Sequence, residues 1–279
     1  MRMLSARWRD EGLEVGFVPT MGALHEGHLS LVKRAIMLGD RVVVSIFVNP
    51  KQFGPGEDLD RYPRTLEEDL RLLGKAGAHC VFTPSEDDVY PEGHATTVHV
   101  SGLTEGLCGR YRPGHFDGVS TVVAILFGMV TPHFAVFGRK DAQQLAVIRR
   151  MTGDLRLGVR IEGSETVREP DGLAMSSRNR YLKEEERAQA TAIHRALVEA
   201  AGMAARGETD AGRILEAARQ TIEEAPLARI QYLELVDPLS LKPVGRISPN
   251  GLLAVAVYFG RTRLIDNMEL EAPVPPRGQ

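Results

Sequence analysis

The sequence predicts an α/β fold: a doubly wound parallel sheet followed by a smaller α+β domain. Three observations predict it. Short apolar stretches alternate with helical periodicity along the first half of the chain, one of those stretches is almost continuously β-branched, and after about residue 180 the pattern changes to paired helices followed by strands.

Val15-Gly16-Phe17-Val18 reads as the first strand, closed by Pro19, and residues 28–36 repeat apolar side chains at helical spacing. The run Arg41-Val42-Val43-Val44-Ser45-Ile46-Phe47-Val48-Asn49 suits a parallel strand buried on both faces and completes a βαβ unit. Thr65-Leu66-Glu67-Glu68 reads as a capping box opening a helix through about Gly74, and residues 79–83 follow as a strand. A third unit comprises an apolar helix over 119–130, a strand over 133–137 and a helix over 142–151. Beyond it, residues 183–206 and 209–224 read as two amphipathic helices, and 229–236, 252–259 and 263–266 as strands between Pro and Gly turns. The predicted division is a first domain over residues 1–170 and an α+β domain over 171–279. The polar segment from Asp171 to Asn179 opens the second domain, placed to close over a site on the first.

Composition narrows the function. With 279 residues, 43% hydrophobic and 25% charged, the chain reads as an ordinary soluble globular protein. A net charge of −3 without a basic run gives nucleic acid and acidic membranes no general attraction. Cys80 in an apolar run and Cys108 in a glycine-rich loop build no disulfide framework and read as inert thiols of a reducing compartment. The first ten residues lack the apolar core of a secretory signal, and the longest apolar run is too short to span a bilayer. A cytoplasmic protein with no nucleic-acid or membrane partner is expected, with a frayed Pro-rich end from Ala272 to Gln279.

The chemistry concentrates at the first strand end, Pro19-Thr20-Met21-Gly22-Ala23-Leu24-His25-Glu26-Gly27-His28-Leu29-Ser30. A helix starting at a glycine turn presents unpaired backbone N–H groups and a positive dipole end, a place for a nucleotide phosphate. Gly22 and Gly27 allow close approach, and His25 and His28, three apart, share one helix face and can both donate to one triphosphate. A metal half-site is the competing reading, but the spacing is not that of a zinc protease and no further Cys or His stands nearby to complete four ligands.

Other predicted strand ends converge on the same crevice. Phe47-Val48-Asn49-Pro50-Lys51-Gln52-Phe53 supplies two amides that bind hydroxyls and carboxylates without a full charge. Gly138-Arg139-Lys140-Asp141-Ala142-Gln143-Gln144 places Lys140 at a strand-to-helix turn, where it can neutralise phosphate or simply pair with Asp141. Met175-Ser176-Ser177-Arg178 offers hydroxyls and a guanidinium for phosphate oxygens, or an ordinary loop.

Taken together, P-T-M-G-A-L-H-E-G-H, S-I-F-V-N-P-K-Q-F, R-P-G-H-F-D-G-V from Arg112 to Val119, G-R-K-D-A-Q-Q and D-G-L-A-M-S-S-R-N resemble, in order and over nearly the whole chain, the pantothenate synthetase (pantoate:β-alanine ligase) family of the nucleotidyltransferase superfamily. The H-x-G-H signature is like that of class I aminoacyl-tRNA synthetases, and M-S-S-R-N is similar to their mobile loop. The resemblance implies a Rossmann-like first domain, a C-terminal lid domain, and a two-step ligation in which pantoate and ATP form pantoyl adenylate and β-alanine displaces AMP. It assigns Met21, Gly22, Ala23, Leu24, His25, Glu26, Gly27 and His28 to ATP, together with Gly138, Arg139, Lys140, Asp141, Val167, Met175, Ser176, Ser177 and Arg178. Within that set His28 is the family's proton donor, His25 its partner on the phosphates, Lys140 the neutralising charge and Arg178 part of the closure on the triphosphate. Gln52 and Gln144 correspond to the pantoate pair, Gln52 also bordering β-alanine, with Asn49 and Arg112 in support. Magnesium is expected to accompany ATP, with no ligand set assigned; Asp69 is a candidate to assist it, a solvated helix face being its other reading. A homodimer is implied as well.

Two departures stand out. The family usually has Glu where this chain has Arg139, whose side chain is expected to point outward, and the chain begins close to the P-T-M-G motif, as though an initial segment were shortened or replaced. A different nucleotidyltransferase is disfavoured by the Gln52 and Gln144 pair, an aminoacyl-tRNA synthetase by the missing basic surface, and an inactive homologue by His25, His28, Lys140 and Arg178.

Overall fold

The structure, a computed structural model, describes residues 1–273; the tail expected to fray lies, from residue 274 on, outside the described residues. In chain order the elements are α1 Arg2–Asp10, β1 Val15–Thr20, α2 Glu26–Leu38, β2 Arg41–Ile46, α3 Leu66–Ala76, β3 Cys80–Phe82, α4 Glu86–Val89, α5 Leu107–Tyr111, α6 His115–Val130, β4 Phe134–Gly138, α7 Ala142–Asp154 and β5 Arg160–Ser164. Then follow α8 Glu184–Gln189, α9 Ala192–Ala205, α10 Ala211–Glu223, β6 Ala228–Val236, β7 Asn250–Phe259 and β8 Thr262–Glu271. The chain divides into two compact units, one of residues 1–105 and 109–167, the other of 106–108 and 168 onward.

The first unit contains a five-stranded, all-parallel sheet in the order β3-β2-β1-β4-β5, the doubly wound arrangement the sequence predicts. The order reverses between β1 and β4, so the loops after those two strands flank the point where such folds bind ligands. Val42, Val43 and Val44 are fully buried, as a central strand covered on both faces requires. Pro19 does not close β1: the strand runs on to Thr20, pairing with β2 through Pro19↔Ser45, while its ladder with β4 holds only Gly16 and Phe17. With no partner on that side, the missing proline N–H costs no ladder bond.

Phe134 fixes how β4 meets the neighbouring backbone. Its ring is fully buried, and a Cβ on Gly16 or on Gly39 would lie 2.4 or 2.6 Å from it. Val18, Val32, Val42, Val44 and Val136 complete the core around it.

The second unit carries the antiparallel sheet β6-β7-β8, packed through Leu235, Leu253, Val255, Val257 and Phe259 against Ile193, Leu197, Ile214 and Ile222 of its helices. The helix predicted over 183–206 is two, α8 and α9, broken at Ala190 and Thr191, where Ala190 is fully buried and the Thr191 hydroxyl turns back to the Ala188 carbonyl. Cys108 lies in the short α5 rather than in an open loop, its thiol 3.2 Å from the Tyr232 hydroxyl. Among the described residues no helix is long and apolar enough to cross a membrane.

Because Gly16 has no room for a methyl group, Gly16→Ala should destabilise the protein by about 1–3 kcal/mol in urea titrations. Adding Phe134→Leu should recover part of that loss, and simple additivity of the two changes would rule out the contact as its cause.

Candidate active site

The β1–α2 turn is built by its own side chains. Gly22 and Ala23 both take left-handed backbone conformations, φ +79° and +51°, which carry the chain from the strand end into the helix. The Gly22 N–H donates to the Thr20 hydroxyl at 3.2 Å, and the Ala23 and Leu24 N–H groups donate to the two carboxylate oxygens of Asp69 at 3.0 and 2.8 Å. His25 is the N-cap of α2: its Nδ1 accepts from the Gly27 N–H at 3.1 Å, while the His25 N–H reaches His28 Nδ1 at 3.4 Å. The two imidazoles thus form a capping box, with ring centroids 4.1 Å apart.

Two sequence expectations change here. The backbone N–H groups of residues 22–25 and 27 are taken by side chains, so the turn offers an anion far fewer unpaired amides than a bare helix start. The donor function passes to the imidazoles, because an Nδ1 that accepts a backbone N–H leaves the ring proton on Nε2. Nor is the start of α3 a capping box: Thr65 makes no side-chain cap, and its hydroxyl donates to Asp69 Oδ2 at 3.3 Å instead. Asp69 is only 1% exposed, which rules out the solvated-face reading of this residue.

His28 is held neutral. Burial first, then the neighbouring His25 and Lys140, push its pKa down to about 3. Lys140 stands in the 3-10 turn Arg139–Asp141 that follows β4 across the switch point. Arg139, one residue earlier, pairs with the exposed Glu165 at 3.2 Å.

A second group of side chains fixes Gln52. Asn49, 1% exposed, donates from Nδ2 to Gln52 Oε1 and to the Gly118 carbonyl, both at 3.1 Å, and accepts the Tyr90 hydroxyl on Oδ1 at 2.7 Å. Burial pushes the Tyr90 phenol up to about 12 against the opposing Asn49 hydrogen bond, so it remains a donor. With its oxygen held, Gln52 turns its NH2 outward and donates to the Met21 sulfur at 3.2 Å. A thioether is a weak acceptor that a substrate oxygen readily replaces. Gly118 lets α6 approach this segment: a Cβ there would sit 2.3 Å from the Lys51 carbonyl oxygen.

Behind Gln52, Arg112 forms a bidentate pair with Glu57 at 2.7 and 2.5 Å and donates to the Gln52 carbonyl at 3.3 Å and to His115 Nε2 at 2.9 Å. The other nitrogen of His115 donates to the same Gln52 carbonyl at 2.7 Å. Burial and then Arg112 push the His115 pKa down to about 4. Arg112 therefore supports the Gln52 segment from behind. Gln144 is the third residue of α7, and Gln143 beside it donates to the Leu103 carbonyl at 2.8 Å. Val167 lies three residues beyond β5. Met175, Ser176, Ser177 and Arg178 belong to the second unit, where Ser176 caps the 3-10 turn Ser177–Tyr181 by accepting the Arg178 N–H at 3.2 Å.

The sequence reading missed Glu57, Tyr90, His115 and Gly118 as parts of this site. His115 and Gly118 sit inside the quoted R-P-G-H-F-D-G-V motif, which was a signal; nothing local marks Glu57 or Tyr90.

A parallel sheet with a histidine pair, a lysine and an oriented glutamine around its switch point defines a nucleotide-using enzyme of the doubly wound α/β class. Residues 1–269 match the family model described as pantoate-beta-alanine ligase, and the chain belongs to that family. It is 53% identical over 270 residues to a pantothenate synthetase of a Sulfurihydrogenibium species, covering 96% of each chain. With a pantothenate synthetase from Heliobacterium modesticaldum the identity is 55% over 94% of this chain and 93% of that one. The crystal structure of pantothenate synthetase from Thermus thermophilus superposes with a TM-score of 0.91 at 48% identity, covering 96% of this chain and 98% of the other. A pantoate-beta-alanine ligase from Francisella tularensis, complexed with beta-gamma ATP and beta-alanine, gives 0.77 at 32% identity over 95% and 93% of the two chains.

Neutral His28 makes stability depend on pH. Its folded pKa lies below the unfolded value of 6.5, so between about 3 and 6.5 the unfolded chain binds the extra proton and stability falls as pH is lowered. By pH 5 the loss should reach at most about 2 kcal/mol for this group. His28→Gln should flatten the change in urea midpoint between pH 7 and pH 5; an unchanged slope would contradict a neutral His28.

Proposed function

We propose that this ligase joins pantoate to β-alanine in two ATP-driven steps. A pantoate carboxylate oxygen bonds to the α-phosphorus of ATP as the bond from that phosphorus to the bridging oxygen breaks, giving pantoyl adenylate and pyrophosphate. The β-alanine nitrogen then bonds to the acyl carbon, the acyl–oxygen bond breaks, and AMP departs while the nitrogen loses a proton. Membership of the family over residues 1–269 carries this reading. The site suits it, since no protein nucleophile is required and fixed donors meet the charge that develops on the departing pyrophosphate.

Residues 21–28 and 138–141 hold the nucleotide in this reading, with Val167 and, from the second domain at 171–279, Met175, Ser176, Ser177 and Arg178. His25 and His28 present Nε2–H donors to the phosphates, and Lys140 neutralises charge between pantoate and triphosphate. The role of His28 is hydrogen-bond donation rather than full proton transfer: a neutral imidazole with Nδ1 occupied would have to become imidazolate, and pyrophosphate leaves without a proton. Gln52 and Gln144 bind pantoate, Gln52 through an NH2 whose direction is set by Asn49. Magnesium arrives with the triphosphate as part of the substrate. Asp69 fits poorly as its ligand, since both carboxylate oxygens already accept backbone N–H groups. A cytoplasmic homodimer completes the proposal.

Pyrophosphate release from magnesium–ATP should require pantoate, and AMP and pantothenate should appear only after β-alanine is added. Nucleotide binding without pantoate-dependent release would refute the ligase reading.

His28→Ala should slow adenylation by about two to four orders of magnitude. His28→Gln, which keeps an N–H, should retain far more, and equal losses in both variants would restore proton donation. Gln144→Ala should raise the pantoate KM with little effect on that for ATP; unchanged pantoate saturation would remove Gln144 from that site.

A further inference from the structure

We propose that Asp69 is a positioning residue for adenylate formation, its carboxylate holding residues 22–24 in the left-handed turn that sets the His25–His28 pair against the phosphates. This rests on the ligase reading above and adds to it a residue that touches no substrate. Asp69 sits in the first turn of α3 beside Glu67 and Glu68, yet it shares with Leu73 the buried face of that helix. Its oxygens accept from Ala23 N–H at 3.0 Å, Leu24 N–H at 2.8 Å and the Thr65 hydroxyl at 3.3 Å.

The arrangement is costly on its own terms. A buried carboxylate beneath a phosphate site opposes the charge of an incoming polyanion, and Ala23 gives up an ordinary backbone conformation at φ +51°. Two acceptors on one carboxylate account for it, since each takes one of the successive N–H groups of Ala23 and Leu24. The fit is close on the other side as well: a Cβ on Gly22 would lie 2.9 Å from Asp69 Oδ2 and 3.1 Å from the Ile46 side chain. The turn leads directly into the His25 cap, so any shift of residues 22–24 moves both imidazoles together. Asparagine at position 69 would keep one acceptor and put an NH2 against the second backbone N–H.

The test separates the two half-reactions in wild type, Asp69→Asn, Gly22→Ala and the double variant. Adenylation needs the imidazoles aimed at the departing pyrophosphate, whereas attack of β-alanine on preformed pantoyl adenylate takes place at the acyl carbon after pyrophosphate has gone. Pantoate-dependent pyrophosphate release should fall about a hundredfold in each single variant, the scale of a misplacement near 1 Å, mainly in kcat. Consumption of preformed pantoyl adenylate by β-alanine should fall less than about tenfold. Because both changes act on the contact between Asp69 and the turn, the double variant should lose less than the product of the two single losses, Gly22→Ala keeping its own cost against Ile46. Should one variant fail to fold, the other carries the same comparison. Adenylation within about threefold of wild type, or equal losses in both half-reactions as from general loosening, would overturn the role given to Asp69. Absence of pantoate-dependent release in the wild type would instead overturn the ligase reading itself.

Discussion

The site depends on how the backbone between β1 and α2 is satisfied. A chain that leaves a buried strand through two left-handed residues exposes a row of N–H groups in directions that neither sheet nor helix can use. Here the Thr20 hydroxyl, the Asp69 carboxylate and both imidazoles answer them. Because the histidines cap the helix through Nδ1, each neutral ring keeps its proton on Nε2 and has its direction set by the cap. Capping, which ordinarily only stabilises a helix end, here decides tautomer and aim.

The same logic orients Gln52. An amide side chain reads a ligand unambiguously only when its oxygen and nitrogen cannot exchange places. Asn49 donates to the Gln52 oxygen, and Tyr90 in turn holds Asn49 in the orientation that makes this possible. The backbone of Gln52 is held separately, by Arg112 and His115 on its carbonyl. One residue thus has its main chain and its side chain fixed by different partners, a rigid placement of the kind catalysis by positioning requires.

Much of this was legible in the sequence, for identifiable reasons. The β-branched run at Val42, Val43 and Val44 and the strand–turn–helix punctuation at Gly22 report local physics, and from them the central strands and the β1–α2 turn were legible. Edge strand β5 escaped notice because Val159 and Ile161 alternate with Arg160 and Glu162 over too short a span, in a strand whose residues are mostly half-exposed. Helix α1 carries two arginines in its last turn and buries only Ser5, so it has little apolar surface to mark it as part of the core. The misreadings at Pro19 and Thr65 each have a particular partner behind them: Pro19 stays in the strand by pairing opposite Ser45, 26 residues on, and the Thr65 hydroxyl turns from the cap to the buried Asp69 one helical turn later. Tyr90 and Glu57 were invisible because their partners are 41 and 55 residues away.

Arg139 shows how a reversed charge is accommodated beside such a site. In a 3-10 turn successive side chains diverge by about 120°, so Arg139 and Lys140 leave the backbone in different directions. Arg139 runs along the edge strand, where its Cγ is 3.4 Å from the position a Cβ on Gly163 would take, and its guanidinium pairs with a Glu165 side chain that is 89% exposed. Such an exposed pair contributes little energy and is easily exchanged for another. Lys140 is the neighbour whose charge is felt at His28. The charge at position 139 is therefore directed along the edge strand to Glu165, while the charge felt at His28 comes from the next residue.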